Sequence, residues 1–405
     1  MNESVTRTSA LPSRVGRPAT LKGMVMALVP LLFLPIGADG QSQLASEGLG
    51  LVMEPLDAHA RGVGGVGVGL PGWYLQVTDP SASAGLVVPA ITGSLQPSAA
   101  TLTDGREVGH TRFPSIGASY PYGANVFSVH FGGFADQEFR LEDDIVLNLA
   151  GEPVEAVDRF ESTGSLGQVR VGWSRRVLES VALGFNVGSY VGTVDRIFSR
   201  FLDPEAVGPD VEPFITTGRW RASGPIVGGG VAWDPSELIR LSASATWSGD
   251  LKLRPSAGGV TEVGRYPIPF EVRAGGTVAL LPGLALSASL SHADWSETGD
   301  ALREDESRGA AWSYGAGVEW SRPTILGRAM PIRLGVRQRD LPFHFDGEPA
   351  TENMLSAGLG YNLTDPEAFP SARVDFSFER GERSAGPALE EEFWRSTVTV
   401  RLTGG

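Results

Sequence analysis

The chain reads as all-β: a membrane-spanning, antiparallel up-and-down barrel of about 14 strands with a short N-terminal plug for its lumen. Three observations predict this fold. Polarity alternates with a period of two from about residue 86 to the C-terminus, no uninterrupted apolar run reaches the roughly 18 residues of a spanning helix, and short connections alternate with long ones.

Composition agrees. Of 405 residues, 41% are hydrophobic and 53 are glycine, a mixture that suits many short strands and turns. With no cysteine, a disulfide framework, a thiolate metal site and thiol redox chemistry are all excluded. The formal charge of −14, with 33 scattered Lys and Arg, argues against a nucleic-acid partner, which would need a basic stripe.

Residues 1–40 read as a secretory signal. Arg7, Arg14, Arg17 and Lys22 precede the apolar run from Met24 to Ile36, and Ala38, Asp39 and Gly40 supply small residues around a cut. The run is too short to cross a bilayer of roughly 30 Å as a helix. A start at Met24 and an uncleaved N-terminal anchor are the alternatives. Residues 41–85 lack clear alternation, are too few to bury a core of their own without cysteines, and are expected to form the plug. Residues 86–405 form the barrel.

Within the barrel, Leu241, Ala243, Ala245 and Trp247 alternate with Ser242, Ser244 and Thr246, and Val374, Phe376 and Phe378 alternate with Arg373, Asp375, Ser377 and Glu379. Arg333, Arg337 and Arg339 oppose Ile332, Leu334 and Val336. Ala243, Leu286, Val318 and Phe376 are therefore expected to face lipid, and Ser244, Ser287, Glu319 and Asp375 the lumen. A soluble sandwich would show the same alternation with its apolar face inside. Against it stand the number of segments and the aromatics at their ends, such as Trp312 and Trp320, whose separation on a tilted strand covers roughly 20 Å, the height of an apolar band between girdles. Short connections fall at 121–123, 178–179, 234–237, 281–283, 322–331 and 365–370. Longer polar stretches fall around 135–163, 199–213, 249–264, 296–308, 340–351 and 380–391. With an even strand count this places both barrel ends on the periplasmic side of an outer membrane. The last strand is expected from about Phe393 to Leu402.

Arg61 to Gly69 contains a formal GxGxxG without the preceding strand and following helix that a phosphate loop needs, so its glycines read as a backbone that turns or packs tightly. The five histidines show no metal-ligand spacing, and no GxSxG surrounds a serine. His292 lies near Ser289, Ser291 and Asp294 as in an outer-membrane phospholipase, but residues of one strand alternate faces. No enzymatic activity, cofactor or metal is expected.

The run Ala60-Arg61-Gly62-Val63-Gly64-Gly65 resembles the small-residue plug motif of the FadL-type long-chain fatty-acid transporter superfamily of outer-membrane barrels and its porin-like relatives. Asp79-Pro80-Ser81 stands where that family carries Asn-Pro-Ala, a departure. Phe113 to Pro121 and Phe131-Gly132-Gly133-Phe134 resemble its early barrel segments. The resemblance covers residues 58–135 and is architectural beyond. It implies a lumen plug, hydrophobic small molecules such as long-chain fatty acids as cargo, and a kink in the third strand, here at Gly132 and Gly133, through which cargo leaves sideways. The expected surroundings are outer-membrane lipid, lipopolysaccharide and the barrel-assembly machinery. A docking or assembly component for secreted proteins and a general diffusion porin are the alternative functions.

Overall fold

Successive β residues point to opposite faces, so long stretches of alternating polarity broken by glycine and proline fold as strands that separate two environments. The computed structural model describes residues 42–404 apart from 73–74, 103–104, 150, 205–207, 209–210, 259–261, 303–308, 346, 365–370 and 388. The segment expected to be the export signal, Trp73, Tyr74 and the 365–370 connection lie outside the described residues.

The strands are β1 (Leu51–Val52), β2 (Ala90–Thr101), β3 (Glu107–Arg112), β4 (Ser115–Tyr122), β5 (Asn125–Asp136), β6 (Phe139–Leu149), β7 (Glu152–Leu178) and β8 (Val181–Leu202). They continue as β9 (Phe214–Ser223), β10 (Pro225–Ser236), β11 (Ile239–Ser248), β12 (Leu251–Gly258), β13 (Gly264–Tyr266), β14 (Glu271–Leu281), β15 (Leu284–Asp294) and β16 (Ala310–Trp320). A small hairpin, β17 (Thr324–Ile325) and β18 (Arg328–Ala329), precedes β19 (Ile332–Phe345), β20 (Glu348–Asn362), β21 (Ser371–Ala385) and β22 (Leu389–Thr403). All pairings between these strands are antiparallel, and β22 pairs with β2 from Ala90↔Thr403 to Thr101↔Glu392, which closes a 14-stranded barrel. The pairs β3–β4, β5–β6, β9–β10, β11–β12 and β13–β14 each supply one stave in two pieces.

The polarity of the wall is that of a membrane barrel rather than a sandwich: apolar outside, charged inside. Val336 is 54% exposed and Leu334 58%, whereas Arg333, the neighbour of Leu334 on the other parity, is 0% exposed. Ala243, Leu286 and Val318 are exposed and Phe376 half-buried on the outward face, while Ser244, Ser287 and Asp375 are buried and Glu319 half-buried on the inward face. Outward Tyr120, Tyr122, Trp233 and Trp320 ring the short-turn end, and Trp247, Phe270, Trp312 and Tyr314 the other. An exposed apolar belt of this extent between aromatic girdles needs hydrocarbon around it. Val336 pairs with Ala316, midway between the girdles. Val336→Arg should therefore cost roughly 2 to 4 kcal/mol, read as a shift of the urea midpoint in lipid vesicles, with Val336→Leu near neutral.

One expectation is corrected. The polar stretches 135–163, 249–264, 340–351 and 380–391 are largely strand, because β6, β7, β12, β19, β20, β21 and β22 run on past the barrel rim before turning. Their acidic alternation is that of ribbons wet on both faces, as at Glu142, exposed and held by Arg140 and Arg159. The terminal strand is also longer than expected, Leu389–Thr403.

Candidate functional site

The described residues between 42 and 89 lie against the inward faces of the wall, and their contacts run around the barrel. Asp57 caps the short helix Ala58–Gly62 by accepting from the Ala60 amide, and its second oxygen takes Arg401 at 3.1 Å. The Ala58 amide donates to Thr399 Oγ1 at 2.8 Å. His59 Nε2 meets Glu319 at 3.0 Å, and Arg61 reaches Glu379 at 3.3 Å and the Glu54 carbonyl at 2.9 Å. Burial first, then the Arg333 guanidinium, lowers the pKa of His59, against the Glu319 contact that raises it. A neutral imidazole donating from Nε2 fits this setting.

Glycine explains how closely the backbone lies on the wall. Gly62 Cα faces Gly358, and Gly64, at φ +82°, lies so near the carbonyls of Ala316 and Val336 that a Cβ would overlap both. Across the contact, a Cβ at Gly335 would overlap the Gly64 amide, and Gly65 sits against the Arg337 side chain. The glycine run is thus a flat-packing backbone. Asp79 accepts from Ser81 Oγ at 2.6 Å and from Ser242 Oγ at 2.8 Å, capping the turn Pro80–Ser83, and Pro80 and Ser81 lie on Gly184. The carboxylate at this position therefore has a role of its own: it ties the segment to β11.

Gly132 and Gly133 mark an interruption in wall pairing. β4 pairs with β5 only as far as Ser115↔Gly132, and β3 pairs with β2, not β5. The register between β5 and β7 shifts between Gly133 and Ala135, and beyond it Ala135 and Asp136 keep Leu166 and Ser165 of β7 on one edge and take Val52 and Leu51 of β1 on the other. A bulge frees a residue and bends its strand. β1 then satisfies the backbone edge that β3 leaves bare. A Cβ on Gly132 would come within 2.7 Å of Pro55, and one on Gly133 within 2.9 Å of Met53. Arg112 and Asp136 form an ion pair across the interruption.

Above the N-terminal segment, away from the short-turn end, lies a cavity of about 130 Å³. Its apolar walls include Phe134, Tyr190, Ile268 and Trp295, with the Phe134 and Tyr190 rings 4.7 Å apart. Val52 to Pro55, Val77 and Thr78 bound it together with Arg170, Arg273, Arg337 and Arg339. Burial alone would push the Glu54 carboxyl up; the Arg337 and Arg273 guanidiniums overcome it and hold Glu54 well below the usual carboxylate range. Composition and alternation place these arginines inside the barrel but do not bring them to one cavity. His292 stacks on Trp312 at 4.3 Å on the outward face, opposite Ser291.

No protein-family model and no curated protein matches the chain. Solved structures of the same fold include the CymD monoaromatic hydrocarbon channel, at 13% identity and TM-score 0.56, covering 90% of this chain and 99% of that one. A Pseudomonas aeruginosa FadL homologue matches at 12% identity and TM-score 0.58, covering 88% and 99%. The Ralstonia pickettii toluene transporter TbuX matches at 12% identity and TM-score 0.56, covering 87% and 99%. The closed barrel with its apolar exterior, polar interior and the register shift in its fifth strand has the fold of the FadL-type outer-membrane channels.

Proposed function

We propose that this protein passes hydrophobic small molecules across the outer membrane, with the short turns and both barrel ends on the periplasmic side. The observation that carries the reading is the aromatic-walled cavity bounded by Phe134, Met53 and Pro55, the residues that adjoin the break in wall pairing at Gly132 and Gly133. Residues 42–85 act as the plug, and cargo leaves sideways past the bulge when β1 moves. A cavity of about 130 Å³ is close to the roughly 150 Å³ that holds one benzene and well below the roughly 300 Å³ at which sites for larger ligands begin. It suits a single ring better than the long acyl chain suggested by the family resemblance. The toluene and monoaromatic hydrocarbon cargoes named for TbuX and CymD are of that size.

The test is to clamp β1. Val52 and Ala135 are direct antiparallel partners, so their Cα atoms stand about 4.5 to 5.5 Å apart, within disulfide range, in a chain with no cysteine of its own. In proteoliposomes, Val52→Cys with Ala135→Cys should take up toluene several-fold more slowly when oxidised and recover on reduction, while the single variants do not respond. Uptake indifferent to the clamp would sink the gate, and an ohmic ion conductance without toluene uptake would favour a diffusion porin.

A further inference from the structure

Four arginines line the cavity, and three have carboxylate partners. Arg273 pairs with Glu54 at 3.2 Å and Glu271 at 2.6 Å, Arg337 pairs with Glu54, and Arg339 pairs with Glu352 at 2.9 Å. Arg170 is different. It is 6% exposed, its Nε donates to Gln168 Oε1 at 2.8 Å and its Nη1 to Asn186 Oδ1 at 3.1 Å. Both partners are neutral amides, and among the described residues no carboxylate comes within the 4.0 Å of an ion pair. The nearby acids are engaged elsewhere: Glu54 and Glu271 with Arg273, and Asp340 with the Trp312 amide at 3.1 Å. Among the described residues Nη2 has no hydrogen-bond partner, on a side chain that lines the cavity.

A buried guanidinium without a counter-charge is costly, because its desolvation is not returned by an ion pair. Gln168 and Asn186 hold the fork still while leaving its charge unneutralised. Tyr190, one strand over from Arg170 and paired in register with Gln168, sets an aromatic wall beside that charge. We infer that the cavity is a binding site for a small apolar carboxylate of about single-ring size, with its ring among Phe134, Tyr190, Ile268 and Trp295 and its anionic end on Arg170. This rests on the channel reading and narrows its cargo: an aromatic acid, rather than a bare hydrocarbon, completes the site. The shape and the charge point to the same ligand, since the free donor and the apolar walls share one space.

The test uses the purified protein in an uncharged detergent and follows the change in tryptophan fluorescence that a ligand beside the cavity residue Trp295 produces. Benzoate is titrated against benzyl alcohol, a neutral molecule of the same shape. A charge-assisted hydrogen bond in a buried site should make benzoate about tenfold or more the tighter ligand. Arg170→Gln should erase that preference while retaining benzyl alcohol, and Arg170→Lys should keep part of it. Equal affinity for the two ligands in the native protein, or a preference that survives Arg170→Gln, would overturn the assignment. If Arg170→Gln does not fold, the native ratio and Arg170→Lys decide. Binding without toluene or benzoate flux in proteoliposomes would leave the site standing and remove the channel; flux of toluene without benzoate preference would do the reverse.

Discussion

Glu352→Leu should destabilise the barrel by roughly 3 to 5 kcal/mol, because it strips the shared counter-charge from three buried guanidiniums. Glu352 is 1% exposed. Its carboxylate takes Arg339 at 2.9 Å, Arg383 at 2.8 Å and Arg395 at 3.2 Å. The remaining acids cannot cover the loss: Glu391 touches Arg383 at 3.4 Å, and Glu379 already serves Arg395 and Arg61. Stacking of Arg383 and Arg395 on the Phe393 ring, at 4.3 and 4.7 Å, holds their planes but supplies no negative charge. The control is the pair Arg380–Glu392, whose side chains are 72% and 67% exposed. Glu392→Ala should move the urea midpoint by well under 1 kcal/mol. A Glu352→Leu protein as stable as that control would mean that the network contributes nothing net.

The two-faced wall is legible in the sequence because alternation needs no partner to be read. Arg333, Val336 and Asp375 declare their sides by parity alone. The seat of the N-terminal segment is legible in outline through Gly62, Gly64 and Gly65, since residues without Cβ atoms mark where backbone meets backbone. What parity cannot supply is pairing. Asp57 and Arg401 stand 344 positions apart, and Arg61 and Glu379 are separated by 318, and only closure of the barrel brings them together. The isolation of Arg170 is hidden for the same reason: a face can be read from one strand, but a missing neighbour requires all of them. The rim ribbons read as loops in the sequence because acidic residues on both faces erase the contrast that identifies a strand inside the membrane.

Removing residues 389–405 should abolish insertion altogether. β22 is paired along both sides, with β21 from Ser371↔Thr403 to Ala385↔Leu389 and with β2 along nearly the whole of that strand. Without it β2 and β21 become open edges in hydrocarbon, where each unsatisfied amide or carbonyl costs several kcal/mol and no water can substitute. The loss reaches the interior too. Thr399 bonds the Ala58 amide and Ser94 at 2.8 Å, Arg401 holds Asp57, and Thr397 accepts from Gln96 at 2.9 Å, so the N-terminal segment would lose its helix anchor together with the wall. The expected outcome is protein that never shows a heat-dependent shift on gels and stays accessible to protease. Removing only residues 404–405 forfeits, among the described residues, the bond from the Gly404 amide to the Pro89 carbonyl and should leave a normal barrel. Heat-modifiable, protease-resistant barrels from the 389–405 deletion would refute closure through β22.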